Sequence, residues 1–114
     1  MKTELTTEQS QYLIELGVPI VNATILGELY ELEDGSWDYQ RLFSLTDLLE
    51  ILPKEIEIDN KKYGLFTEFN SQYAFAYYYS VNTTSLGCQR KEEFIDALYE
   101  LTIWCIENGH LKFK

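Results

Sequence analysis

The sequence predicts an α+β fold: three helices packed on an antiparallel meander of three strands, open to extension by a hairpin from the first half of the chain. Three observations carry that prediction. Residues 89–108 repeat their apolar positions at the helical period. After Pro53 the pattern switches to alternation. Asp34-Gly35 sits between two short stretches that read as strands. At 114 residues the chain fits one α+β domain, 1–114, with a single core.

Taken in order, Thr6 begins a helix as its cap, with Gln9 placed to reach back as in a capping box, and Gly17 ends it. Tyr12, Leu13 and Leu16 share a face, so this helix should lie on the core. Val18-Pro19 then forces an extended exit. Residues 20–43 are ambiguous, because Ile25, Leu26, Leu29 and Leu32 fit helical spacing while Leu26, Tyr30 and Leu32 also fit a loose strand. Asp34-Gly35, between residues 28–33 and 36–39, favours two short strands joined by a tight turn. Ser44 caps a second helix over residues 44–52, with Asp47 at the third position and Pro53 as its stop. Its apolar face is Leu45, Leu48, Leu49 and Leu52.

Residues 55–58 then alternate acids with isoleucines, residues 59–62 make a polar turn, and residues 63–69 and 73–79 are the next two strands. A two-residue loop at Asn70-Ser71 would pair Phe69 with Gln72, Thr67 with Ala74 and Leu65 with Ala76. One face then holds Leu65, Thr67, Phe69, Ala74 and Ala76, and the other Phe66, Tyr73, Phe75, Tyr77 and Tyr79. Residues 80–87 read as a polar loop into the last helix. That helix centres on Phe94, Leu98, Leu101 and Cys105, with Glu93, Asp96, Glu100 and Glu107 opposite, and Gly109 stops it.

The hydrophobic content of 46% and the aromatic content of 15% belong to a folded chain. No apolar run reaches the ~18 residues of a membrane span, and the start lacks a signal-peptide pattern. The expectation is a soluble, cytoplasmic protein without membrane association. Its two cysteines, Cys88 and Cys105, then stay reduced, and the glycosylation-like tripeptides at Asn22 and Asn82 are coincidental.

The net charge of −10 is lopsided. Twelve acids face three bases through Glu57, a net of −9, against seven and six thereafter, a net of −1. Such a chain lacks the basic footprint of direct nucleic-acid binding. The densest negative patch is Glu28, Glu31, Glu33, Asp34 and Asp38.

Chemistry is sparse. His110, the one histidine, follows a helix end, where a cation is favourable. One His and two separated Cys make no zinc site. Cys88 has Arg90 and Lys91 near it but no recognisable base. Glu93, Asp96 and Glu100 on one helix face, or Asp34 and Asp38 about a turn, are the carboxylate sets that an enzyme would use. No cofactor or metal is implied. The aromatic strand face is more suggestive. Covered by the first helix or by residues 20–43, the favoured expectation, it is core; exposed, Phe66, Tyr73, Phe75, Tyr77 and Tyr79 would mark a partner site. Ile103 and Trp104 offer a further contact strip, open to homo-oligomer formation.

The stretch from Phe43-Ser44-Leu45-Thr46-Asp47 to Pro53-Lys54-Glu55-Ile56, and that from Ala97-Leu98-Tyr99-Glu100 to Glu107-Asn108-Gly109, resemble the signature stretches of small uncharacterised proteins of Bacteroides-type prophage or mobile-element regions. Leu5-Thr6-Thr7-Glu8-Gln9-Ser10 through Pro19 is similar too. The resemblance implies an origin and brings no activity with it. The expected function is a non-enzymatic protein-interaction module with a protein partner. The alternatives are a DNA-mimic inhibitor of a nuclease or other DNA-binding enzyme, and a small enzyme using paired carboxylates.

Overall fold

Two closed capping boxes set the helices of the first half. Thr6 Oγ1 accepts from the Gln9 N–H while the Thr6 N–H donates to Gln9 Oε1. Ser44 and Asp47 make the same reciprocal pair. In the computed structural model, which describes residues 1–81 and 83–113, these caps open α1 (Thr7–Glu15) and α2 (Leu45–Ile51). The longest helix, α3 (Phe94–Glu107), ends where Gly109 turns left-handed at φ +75° and the His110 N–H reaches Cys105 O at 2.8 Å.

The strands form two antiparallel sheets. β1 (Ile25–Glu31) and β2 (Trp37–Leu42) make a hairpin that stands as a two-stranded sheet of its own. The larger sheet runs in the order β3 (Glu55–Ile58), β4 (Lys61–Phe69), β5 (Ala74–Tyr79), β6 (Leu86–Lys91). Asp59 and Asn60 join β3 to β4, both at positive φ (51° and 68°), as a two-residue hairpin turn requires.

Three expectations need correction. The meander has four strands, not three. Gln89, Arg90 and Lys91 are the end of β6, not the start of the last helix, because they complete the edge of β5, where Ala74, Phe75 and Ala76 pair with Lys91, Arg90 and Gln89. The β4–β5 loop is four residues, Asn70 to Tyr73, closed by Asn70 Oδ1, which accepts from the N–H groups of Gln72 (2.8 Å) and Tyr73 (2.7 Å). Phe69 therefore pairs with Ala74, Thr67 with Ala76 and Leu65 with Tyr78. The register differs from the expected one by two residues, and an even shift keeps every side chain on its face.

The core lies between the inner face of this sheet and the three helices, around Leu13, Phe43, Leu48, Tyr78, Ile95, Leu98 and Leu101, all fully buried. The buried Tyr78 hydroxyl donates to Pro53 O at 2.8 Å and accepts weakly from the Cys105 thiol at 3.7 Å. Burial pushes that thiol up to about 11, so it stays protonated. The N-terminal segment is pinned across this core. Leu5 N–H donates to Phe43 O, and Lys2 Nζ binds Asp96 Oδ1 at 2.8 Å and Gln9 Oε1 at 3.0 Å. The hairpin, by contrast, has α1 packed along β2 as its main support, in a flat molecule 57 × 36 × 16 Å across.

Candidate protein-interaction surface

The β1–β2 hairpin is made of residues that a two-stranded ribbon cannot bury. Directly opposed residues share a face, so Leu29 with Tyr39 and Glu31 with Trp37 define one side, and Tyr30 with Asp38 the other. Leu26, paired with Arg41, falls on the Leu29 side. Leu26, Leu29 and Trp37 are 54%, 50% and 60% exposed, and Tyr30, Leu32 and Tyr39 are exposed as well. An isolated hairpin is marginal in water, and contiguous exposed apolar surface marks a contact site. The turn is held by Asp34, whose Oδ1 accepts from the Ser36 N–H at 2.9 Å and from the Ser36 hydroxyl. Those bonds, the hydroxyl's first, keep the Asp34 carboxyl below its usual range.

The five acids of the predicted patch are all exposed but do not share a face. Glu31 stands beside Trp37 and Asp38 beside Tyr30, on opposite sides. Glu33 and Asp34 occupy the turn, and Glu28 sits at an irregularity where β1 carries an extra residue against β2.

The second surface is the outer face of the four-stranded sheet, where Phe66, Phe75, Tyr77 and Tyr79 stand together. The Phe66 ring stacks on Tyr77 at 6.1 Å and meets Tyr79 edge-on at 5.8 Å. The Tyr77 hydroxyl donates to Glu68, and that bond, with burial, pushes the phenol up to about 12. Tyr73, in the loop before β5, carries the Arg90 guanidinium 4.8 Å over its ring. Among the described residues α1 packs on the hairpin and α3 on the Tyr78 side, and Phe66 and Tyr79 stay 47% and 36% exposed where a cover was expected. Ile103 and Trp104 lie on α3, on the far side of the sheet, so they cannot extend this patch. Trp104 is half-buried between Tyr78 (6.2 Å) and His110 (5.1 Å).

The remaining predicted groups disperse. Glu93 accepts from the Lys2 N–H, and Asp96 binds Lys2 Nζ and Gln9 Nε2. Burial acts to raise the Asp96 carboxyl, but the bonds from Lys2 and Gln9 outweigh it and hold it low. Cys88 is exposed in β6, not ahead of a helix as its neighbours suggested. Asn82 lies outside the described residues. Among the described residues, no group of three or more His, Cys, Asp or Glu is placed to hold a metal ion, and no helix is long and apolar enough to cross a membrane. Set against protein-family models, curated proteins and solved structures, the chain matches none.

A groove between α1 and the hairpin completes the geometry. It encloses about 550 Å³ and is lined by Tyr12, Ile20, Tyr30 and Tyr39 with Glu8, Glu15 and Arg41 at its margins. Sequence reasoning did not find it, since Tyr12 and Tyr39 are far apart in the chain. The exposed hairpin apolars did leave a signal: they fall on both faces of an acid-bounded stretch, which fits neither a buried helix nor a half-buried strand.

Proposed function

We propose that the chain is a non-enzymatic protein-interaction module, cytoplasmic and carried by a prophage-like element, with the β1–β2 hairpin as its docking element. One observation carries this reading: Leu26, Leu29 and Trp37 share one hairpin face and stay 54%, 50% and 60% exposed. Interface cores favour such aromatic residues. The carboxylates around it fall on both faces, and a mimic of the DNA backbone needs them in one row, so the interaction reading is preferred. Its free thiols, Cys88 and Cys105, suit a reducing compartment.

The test is affinity capture from the native host with the immobilised chain and with a Leu29→Ser/Trp37→Ser variant. Both side chains point to solvent, so the variant should melt within a few degrees of the parent while retaining its partner at least about tenfold less well, as loss of central aromatic contacts implies. Equal retention by both proteins would remove the hairpin from the interface. A co-purifying metabolite with no macromolecule would remove the whole reading.

A further inference from the structure

We propose that the groove between α1 and the hairpin is a recognition site for a basic polypeptide segment bearing one aromatic or aliphatic anchor. This rests on the chain being an interaction module, and of the residues it uses only Tyr39, opposite Leu29, belongs to the outward hairpin face. The cavity of about 550 Å³ is in the range of preformed binding sites. Tyr12, Ile20, Tyr30 and Tyr39 line it and are all exposed, and so offer apolar surface to a side chain entering from solvent.

Charge decides what accompanies that side chain. Glu8, Tyr12 and Glu15 recur at helical spacing and form one stripe of α1, with the two carboxylates ~10 Å apart along the axis. These two carboxylates stand against the single base Arg41 among the lining residues. An extended chain places side chains two apart on the same side at ~3.3 Å per residue. An anchor with a basic residue two positions before it and another two positions after it therefore spans ~13 Å, which matches the carboxylates within the reach of a lysine. A second copy of this acidic chain would bring like charge to the same rim.

The probe is the peptide acetyl-Lys-Ser-Phe-Ser-Lys-amide, titrated into the isotopically labelled full chain and followed by amide chemical shifts. The matched controls are Glu-Ser-Phe-Ser-Glu and Lys-Ser-Ser-Ser-Lys. The expected result is a saturable shift at Tyr12, Tyr30 and Tyr39 with the first peptide alone. Glu8→Gln/Glu15→Gln should weaken it about fivefold to thirtyfold, the worth of two exposed ion pairs, and rising salt should weaken it further. Tyr12→Ser should weaken it as well. Absence of shifts at millimolar peptide, equal binding of either control, or shifts mapping to Leu29 and Trp37 would overturn the proposal. So would line broadening that grows with protein concentration without peptide, the mark of a second copy in the groove. Leu29→Ser/Trp37→Ser should leave the peptide titration unchanged. A failed titration beside an intact capture phenotype therefore rejects the groove alone, and the reverse pattern rejects the hairpin alone.

Discussion

Replacing Gly87 by alanine is expected to lower stability by about 2–5 kcal/mol, from ~1–2 kcal/mol of left-handed backbone strain and ~1–3 kcal/mol of overpacking. Gly87 has φ +64°, and a Cβ built there falls 2.6, 2.7 and 2.9 Å from Cδ2, Cε3 and Cε2 of Trp104. The position is forced by the sheet. Ala76 pairs with Gln89 and Tyr78 with Leu86, so β6 carries one extra residue at this point, and a left-handed glycine is what such a bulge uses. The indole cannot move away freely, since it stacks on Tyr78 at 6.2 Å and meets His110 at a tilt at 5.1 Å. Gly35→Ala is the control: φ is +86° with no heavy atom within 4 Å of the added Cβ, so strain alone should cost ~1–2 kcal/mol. Urea unfolding of both variants measures the difference. Adding Trp104→Leu to Gly87→Ala should recover part of the loss, because the clash is with the ring. Equal losses at Gly87 and Gly35, or no recovery in the double variant, would mean that the contact with Trp104 is not what fixes the glycine.

The same residue explains why one strand was hidden from the sequence. Capping boxes are local, so Thr6 with Gln9 and Ser44 with Asp47 were legible as helix starts. The apolar stripe of α3 was legible from its period, and Leu98, Leu101 and Cys105 are indeed buried. β6 has neither kind of signal. The bulge at Gly87 breaks its alternation, and Gln89, Arg90, Lys91, Glu92 and Glu93 have the propensities of a helix. What overrides them is the open edge of β5, whose backbone groups are paired only if this segment extends. The aromatic grouping of Phe66, Phe75, Tyr77 and Tyr79 survived a wrong loop length because the register error was even. Ile103 and Trp104 are both partly buried, Trp104 against Gly87 and Tyr78, contacts that the helical period of α3 does not show. The hairpin was legible as a turn at Asp34-Gly35 but not as an exposed element, since exposure depends on what fails to pack against it.

Asp47→Ala is expected to cost about 2–4 kcal/mol, because it opens the returning half of the α2 capping box, worth ~1 kcal/mol, and strands donors that bonded to a charge at ~1.5–3 kcal/mol. Asp47 is only 5% exposed. It accepts from the N–H groups of Ser44 (2.8 Å) and Thr24 (3.0 Å) and from the Thr24 hydroxyl (2.8 Å). The bonds to Ser44 close α2, and those to Thr24 tie the base of β1 to it, so the variant should also loosen the hairpin at its root. Asp47→Asn retains one carbonyl acceptor and should lose about half as much, on the difference between charged and neutral hydrogen bonds. The pH dependence separates charge from shape. Burial acts to raise this carboxyl, but the backbone N–H groups of Ser44 and Thr24, then the two hydroxyls, outweigh it and hold the group below 3.8. A carboxyl depressed in the folded state stabilises above its unfolded value and loses that contribution as pH falls through the folded one. The stability difference between the parent and Asp47→Asn should therefore be flat from neutral pH down to about 4 and shrink below it. A difference that stays constant or widens into acid would show that the side chain is held for its shape and not for its charge. The union of α2 with the hairpin root would then rest on packing alone.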